Sequence, residues 1–271
     1  MKYSFMTFSC PELDLTGVLD LAAKVGYDGV ELRIDAGHGH GVEVDVDKGR
    51  RREIREQAEA AGVAISCIAT SCKFADAETA EQTIAEAKER IYLAADVGAP
   101  VVRVFGGPFG DELTREEAID GMAERLGALA EDAEELGVTV CLETHDAWSD
   151  PRHVAAVLEK IDRRSIGANW DVIHPVRRGL ATVEESFEAL RPWIRHLHIH
   201  DGIQADDGGM VLRPIGKGIV DHRLVLECLE SIRFRGFLSG EWIRWSDPYT
   251  VHLPAELATL KRYEAERSKK T

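Results

Sequence analysis

No apolar run in this 271-residue chain reaches the roughly 18 residues needed to cross a bilayer. The opening Met1-Lys2-Tyr3-Ser4-Phe5 has neither the basic nor the apolar region of a secretory signal. A soluble, unprocessed, cytoplasmic protein with no membrane partner is the expectation. Basic residues are scarce: 33 Lys and Arg stand against 48 Asp and Glu, a net charge of -15, which repels nucleic acid and anionic lipid. No cluster offsets this, since Arg50-Arg51-Arg52 sits beside acidic residues and Lys269-Lys270 is a solvated tail. Cysteines are few. The five (Cys10, Cys67, Cys72, Cys141 and Cys228) are an odd number without zinc-motif spacing, so neither a disulfide framework nor a zinc finger is expected. Low-complexity stretches and linker-like composition shifts are also missing, which leaves residues 1–271 as one domain of ordinary globular make-up, 44% hydrophobic and 30% charged.

What the chain does have is a repeated alternation of strand and helix patterns. Tyr3–Ser9 reads as a strand, and Leu15, Val18, Leu19, Ala22 and Val25 follow at helical spacing before Gly26. The same pair recurs as Gly29–Ile34 with Asp47–Ala61, Val63–Thr70 with Glu78–Val97, and Val101–Phe105 with Glu116–Leu136. Val138–Glu143, Ile166–Asp171, His196–Asp201 and Phe237–Glu241 supply four more strands. Helices near Arg152–Ile161, Val183–Leu190 and His222–Ile232 lie between them, and Pro254–Glu266 closes the chain. Eight alternations without a linker predict a single (β/α)₈ TIM barrel, with a doubly wound open sheet as the alternative.

Chemistry concentrates at the ends of the last four strands. In His196-Leu197-His198-Ile199-His200-Asp201 the period of two puts three imidazoles on one face, and Glu143, Asp171 and Glu241 end the other three runs. In a barrel all C-terminal strand ends share one rim, so Glu143, Asp171, His198 and Glu241 are expected to converge there. Any one of them alone would be read as a strand cap or as a partner for Arg103. Four together are a metal site whose oxygen-rich donors suit Mn²⁺, Mg²⁺ or Co²⁺, with Zn²⁺ also compatible.

The segments around Glu143 (LETH), Asn169–His174 (NWDVIH), His198–Asp201 (HIHD), Gly216–Gly218 (GKG) and Ser239–Trp242 (SGEW) resemble those of the sugar phosphate isomerase/epimerase superfamily, the xylose isomerase-like TIM barrels. The resemblance runs through nearly the whole chain in strand order. It implies that Glu143, Asp171, His198 and Glu241 ligate the ion. It also implies that His174 contacts substrate as in the epimerases, or binds a further metal as in the nucleases. The family pattern puts an acidic residue three positions after the liganding His, which selects His198 over His200. His200 would then face substrate or solvent, and His196 would be a hydrogen-bonded barrel residue.

A divalent ion chelating a carbonyl and a neighbouring hydroxyl lowers the energy of the enediolate formed on proton removal, the hard step of isomerisation and epimerisation. Glu143 and Glu241 are the candidate acid/base pair, acting on a small sugar, polyol or keto-acid. The same constellation could expel a hydroxyl or aglycone, as an inosose-type dehydratase or a keto-glycoside eliminase would. An endonuclease IV-type nuclease is disfavoured by the charge and by strand ends three and four, which read Ala69-Thr70-Ser71-Cys72 and Phe105-Gly106-Gly107 where the nucleases have histidines. His145, Arg213 and Lys217 are candidate substrate contacts, Glu31 and Arg33 a candidate ion pair, and Trp148, Trp242 and Trp245 either rim rings for a sugar or packing. The loops 34–47, 109–114 and 202–220 carry no substrate signature. A homo-oligomer is compatible with all of this.

Overall fold

Many helices in this chain start on side chains that accept from free amide groups, and four stop on glycines in left-handed conformation. Asp14 accepts from the amide of Gly17, Asp47 from Arg50 and Asp221 from Arg223 and Leu224, while Thr114 and Thr182 form capping boxes with Glu117 and Glu185. Gly26, Gly62, Gly98 and Gly137, all at positive φ, end the first helices and turn the chain into the next strand. These signals are local, so each strand-helix unit is punctuated before it packs.

The computed structural model describes residues 1–205 and 209–268; Lys269-Lys270 and residues 206–208 of the 202–220 loop lie outside the described residues. The strands are β1 (Lys2–Met6), β2 (Gly29–Arg33), β3 (Ala64–Lys73), β4 (Val101–Phe105), β5 (Thr139–Glu143), β6 (Ile166–Asp171), β7 (Ile194–Ile199), β8 (Asp201–Gln204), β9 (Met210–Arg213) and β10 (Phe237–Gly240). All but β8 and β9 pair in parallel, in the closed order β1-β10-β7-β6-β5-β4-β3-β2. The molecule is therefore a (β/α)₈ barrel, and an open sheet is excluded. No helix among the described residues is long and apolar enough to cross a membrane.

Alternation along the strands divides the core in two. Tyr3, Phe5, Val30, Leu32, Val140, Leu142, Leu197 and Leu238 join the apolar layer between strands and helices. Their neighbours face the barrel axis, where the filling is polar: Ser4, Glu31, Arg103, Glu143, Asn169, Asp171, His196, His198 and Ser239 are all buried. A charged interior of this kind is costly unless its members pair with one another.

Several elements differ from the sequence expectation. Strand β1 ends at Met6, its last partner being Glu31, and Thr7–Ser9 form a 3₁₀ turn. The expected 116–136 helix is two, Arg115–Gly127 and Ala130–Leu136, broken just after Gly127, a poor helix former. The last helix starts earlier, at Tyr249, and keeps Pro254 inside it. The 202–220 region carries the antiparallel ribbon β8-β9. The Asp201 carboxylate holds the segment beyond that ribbon, accepting from the amides of Gly216 and Gly218 at 2.9 Å and of Val220 at 3.2 Å. A Cβ at position 218 would sit 2.1 Å from Asp201 Oδ1, so only glycine fits.

Glu256 of the last helix accepts from the amide of Ile215 at 2.8 Å. Burial, with Asp201 nearby, pushes its carboxyl up from 4.5 to about 7. The folded chain thus holds a proton there that the unfolded chain has released, so this group's contribution falls as pH rises from about 4.5 to about 7. Glu256→Gln should flatten the decline, leaving the variant more stable than the parent above pH 7 by up to about 3 kcal/mol in urea titrations. Parallel pH profiles for parent and variant would refute this.

Candidate metal centre

The alternation that fills the barrel with polar groups also delivers their reactive ends to one rim. Strands β5, β6, β7 and β10 are consecutive around the barrel, so Glu143, Asp171, His198 and Glu241 lie along a four-strand arc with the two glutamates at its ends. One ligand atom from each lies within 4.8 Å of every other. His198 Nδ1 stands 3.1 Å from Glu143 Oε1 and 3.3 Å from Glu241 Oε2. Adjacent ligands at about 2.1 Å from a six-coordinate ion are about 3.0 Å apart, so the cage has the size of such a site. Three carboxylates and one imidazole, mostly hard donors, fit a divalent cation.

Each ligand but Glu241 is held from behind. The His198 Nε2–H donates to Glu31 Oε1 at 3.0 Å, and the His196 Nε2–H donates to the other oxygen of Glu31 at 2.8 Å. Because carboxylates only accept, this fixes His198 with Nδ1 toward the cage. Burial alone would push the Glu31 carboxyl up, but the two imidazoles outweigh it and hold it well below the usual carboxylate range. For His198 burial disfavours charge, yet Glu31, Glu143 and Glu241 raise it far above an ordinary imidazole. Asp171 Oδ1 accepts from the amides of Ile173 and His174 at 2.9 and 3.2 Å, and Oδ2 accepts from His200 Nε2–H at 2.9 Å. Arg103 Nε lies 3.2 Å from Glu143 Oε2, with both side chains fully buried. The pairing with Arg103 weighed as an alternative thus coexists with the cluster. Glu241 is buried too, but His198 holds its carboxyl down to about 2.

A family model described as xylose isomerase-like TIM barrel matches residues 19–263. The chain belongs to that family. As a xylose isomerase-like barrel it is 25% identical over 263 residues to a 3-dehydroshikimate dehydratase of Bacillus anthracis, covering 89% of this chain and 91% of the relative. Among solved structures it resembles an L-ribulose 3-epimerase (TM-score 0.80, 18% identity, 100% of this chain and 98% of that one). It also resembles an IolI protein with a bound zinc atom (TM-score 0.77, 20% identity, 98% and 97% covered).

The remaining expected residues of this xylose isomerase-like barrel divide in two. His145 and His174 stand beside the cluster with ring centroids 4.4 Å apart, and each offers a ligand atom near Glu143. Burial opposes charge on His145, but Asp146 and Glu143 bring it up to about 9; His174 is lowered, chiefly by burial. Arg213 and Lys217 are exposed on β9 and the turn after it, with no hydrogen bond or ion pair to any of the four. Glu31 and Arg33 do not pair: Arg33 donates to Ala69 O and Ser71 Oγ, while Glu31 reaches across the barrel to β7. Trp148 and Trp242 are fully buried, which makes them packing, and Trp245 stacks on His252. His200 faces neither solvent nor open space, being buried against Asp171.

Sequence reasoning missed Glu31 as a support for His198, and Arg103 only entered as a bland alternative. The usable signal was the polar residue two before each rim residue on β6 and β7, Asn169 and His196, which marks the layer below. Glu31→Gln is expected to weaken Mn²⁺ binding about 10- to 100-fold while leaving all four ligands in place. Titration calorimetry with Mn²⁺ alone measures it, and unchanged affinity would remove Glu31 from this role.

Proposed function

We propose that this protein is a divalent-metal-dependent isomerase or epimerase of a small sugar, polyol or keto-acid, moving a proton on a carbon next to a carbonyl. The observation that carries the reading is the convergence of Glu143, Asp171, His198 and Glu241 within 4.8 Å of one another at the barrel rim. Mn²⁺, Mg²⁺ or Co²⁺ suits the donor set best, and Zn²⁺ is compatible. Bound there, the ion supplies a Lewis acid that stabilises negative charge developing on the substrate's oxygens.

The chain's own residues supply the proton handling. Glu241, its carboxyl lowered to about 2, is a carboxylate at neutral pH and can accept a proton. Glu143 stands at the opposite end of the arc, so a proton taken on one side of the substrate can be returned on the other, as epimerisation requires. His174 and His145, each with a ligand atom close to Glu143, would hold substrate hydroxyls. A net charge of -15 supports a small molecule over nucleic acid as the substrate.

Elimination is the second reading. One relative is a dehydratase, and His145, raised to about 9, carries a proton at pH 7 that it could give to a departing hydroxyl.

Incubation with Mn²⁺ and a panel of keto-sugars in D₂O tests both. Deuterium in an isomeric product supports isomerisation or epimerisation, whereas release of water or an aglycone supports elimination. Glu241→Gln should lower kcat by 10³-fold or more, and chelation should abolish turnover until Mn²⁺ is restored. Full turnover by chelator-stripped protein would overturn the proposal.

A further inference from the structure

Arg33 ends β2 on the face that Glu31 turns to the barrel axis, since side chains two apart on a strand point the same way. It therefore stands at the rim, one layer above Glu31. In the closed order of eight strands β2 lies opposite β6, so Arg33 faces the arc of Glu143, Asp171, His198 and Glu241 from across the mouth. Its guanidinium is held in place: Nη1 donates to Ile34 O and Ala69 O, and Nη2 donates to Ser71 Oγ. The remaining donor, Nε, has no acceptor among the described residues and is not one of the buried orphan atoms, so it remains accessible.

The charge of Arg33 has no counterion, for it makes no ion pair among the described residues. Three carboxylates feel that charge, and each is engaged elsewhere. Asp35 Oδ1 stands 2.8 Å from Arg90 Nη2, Glu43 accepts from the amide of Asp35 at 2.9 Å, and Glu241 lies 3.3 Å from His198 Nδ1. Burial disfavours the charged form of Arg33, and repulsion from the nearby Arg103 guanidinium adds to it. Arg103 itself has Glu143 as its partner. A half-buried cation left unpaired at the mouth, in a chain of net charge -15, is set for a negative group brought by a ligand.

The mouth of an eight-stranded barrel admits one small molecule, so a substrate chelated at the arc meets Arg33 with its far end. A neutral hydroxyl there would leave the charge uncompensated. A dianionic phosphate would bring two negative charges among Asp35, Glu43 and Glu241, whereas a carboxylate brings one and meets less repulsion. We propose that Arg33 receives a carboxylate at the end of the substrate away from the reacting carbons, so that the substrate is a hydroxylated keto-acid and not a neutral keto-sugar. The inference deepens the functional reading above and rests on it for where the carbonyl sits, but the charge preference can be measured without turnover.

D-fructuronate and D-fructose 6-phosphate differ from D-fructose only at C6, where they carry a carboxylate and a phosphate. Calorimetry on the full-length chain with Mn²⁺ compares the three. A charge-assisted hydrogen bond predicts that D-fructuronate binds about 10- to 100-fold tighter than D-fructose, with the phosphate weaker than the carboxylate. Arg33→Gln keeps an amide donor for the strand carbonyls but loses the charge, and it should abolish the preference while D-fructose still binds as in the parent. Arg33→Lys keeps the charge without the planar fork and should leave a reduced preference; it serves if Arg33→Gln does not fold. A merely structural Arg33 would weaken both probes alike on substitution and leave their ratio unchanged. Equal affinity for D-fructuronate and D-fructose, binding of neither, a tighter hold on the phosphate, or the parental ratio in either variant would overturn the proposal. If neutral keto-sugars exchange deuterium with Mn²⁺ while the preference is absent, only this inference falls; if the preference holds but no keto-acid or keto-sugar shows Mn²⁺-dependent exchange, only the functional reading falls.

Discussion

Glu31 reaches from β2 across the barrel axis to His196 and His198 on β7, and the centre of the molecule depends on that contact. Strands β2 and β7 are separated by β1 and β10 in the closed order, so the pair is not a neighbour interaction within the sheet. It spans the interior, and it does so with both carboxylate oxygens occupied. An unpaired carboxylate at this depth would be neutralised or expelled. Paired, it fixes the ring of His198 and turns Nδ1 upward to the rim. The apolar layer outside the strands would tolerate many substitutions of similar volume, but the inner layer has only this arrangement of partners.

Arg103 does the same work for Glu143 on the other side. Together the two contacts explain why four acidic groups can occupy one barrel mouth in a chain that already has excess negative charge. Each carboxylate is tied to a cation, an imidazole or a pair of backbone amides, so the repulsion among them is offset locally and not by the surface. The carboxylates of Glu143, Asp171 and Glu241 then retain oxygens directed toward a common point.

Most of the barrel was legible in the sequence because its signals are local. Apolar alternation marks strands, asparate and threonine caps mark helix starts, and glycines at positive φ mark their ends. The rim residues were legible for a related reason: in a barrel of parallel strands, the last polar residue of each strand lies on the same rim whatever the register. Contacts across the axis were not legible, because they depend on which strands lie opposite once the sheet closes. Glu31 therefore looked like a partner for Arg33, two residues away, when its partners are 165 and 167 residues along the chain. The β8-β9 ribbon was hidden in a long loop, since four-residue strands give too short an alternation to separate from irregular chain.

The tryptophans show the limit of composition as a guide. Trp148, Trp242 and Trp245 are all near the rim in sequence, and each could have been a stacking platform. Trp148 instead points inward and donates from Nε1 to Gly107 O at 3.0 Å, and Trp242 folds back so closely that a Cβ on Gly240 would lie 2.0 Å from its ring. Only Trp245, half-buried, keeps part of its surface outside the core. The difference lies in the indole nitrogens. That of Trp148 is satisfied by the Gly107 carbonyl, so its burial is complete as packing, whereas that of Trp242 is buried without a partner. Burial of a large ring is ordinary in a barrel of this size, but burial of a donor with nothing to receive it is not. The polar handle, and not the aromatic surface, distinguishes a ring whose burial is fully compensated from one that leaves a donor unmet.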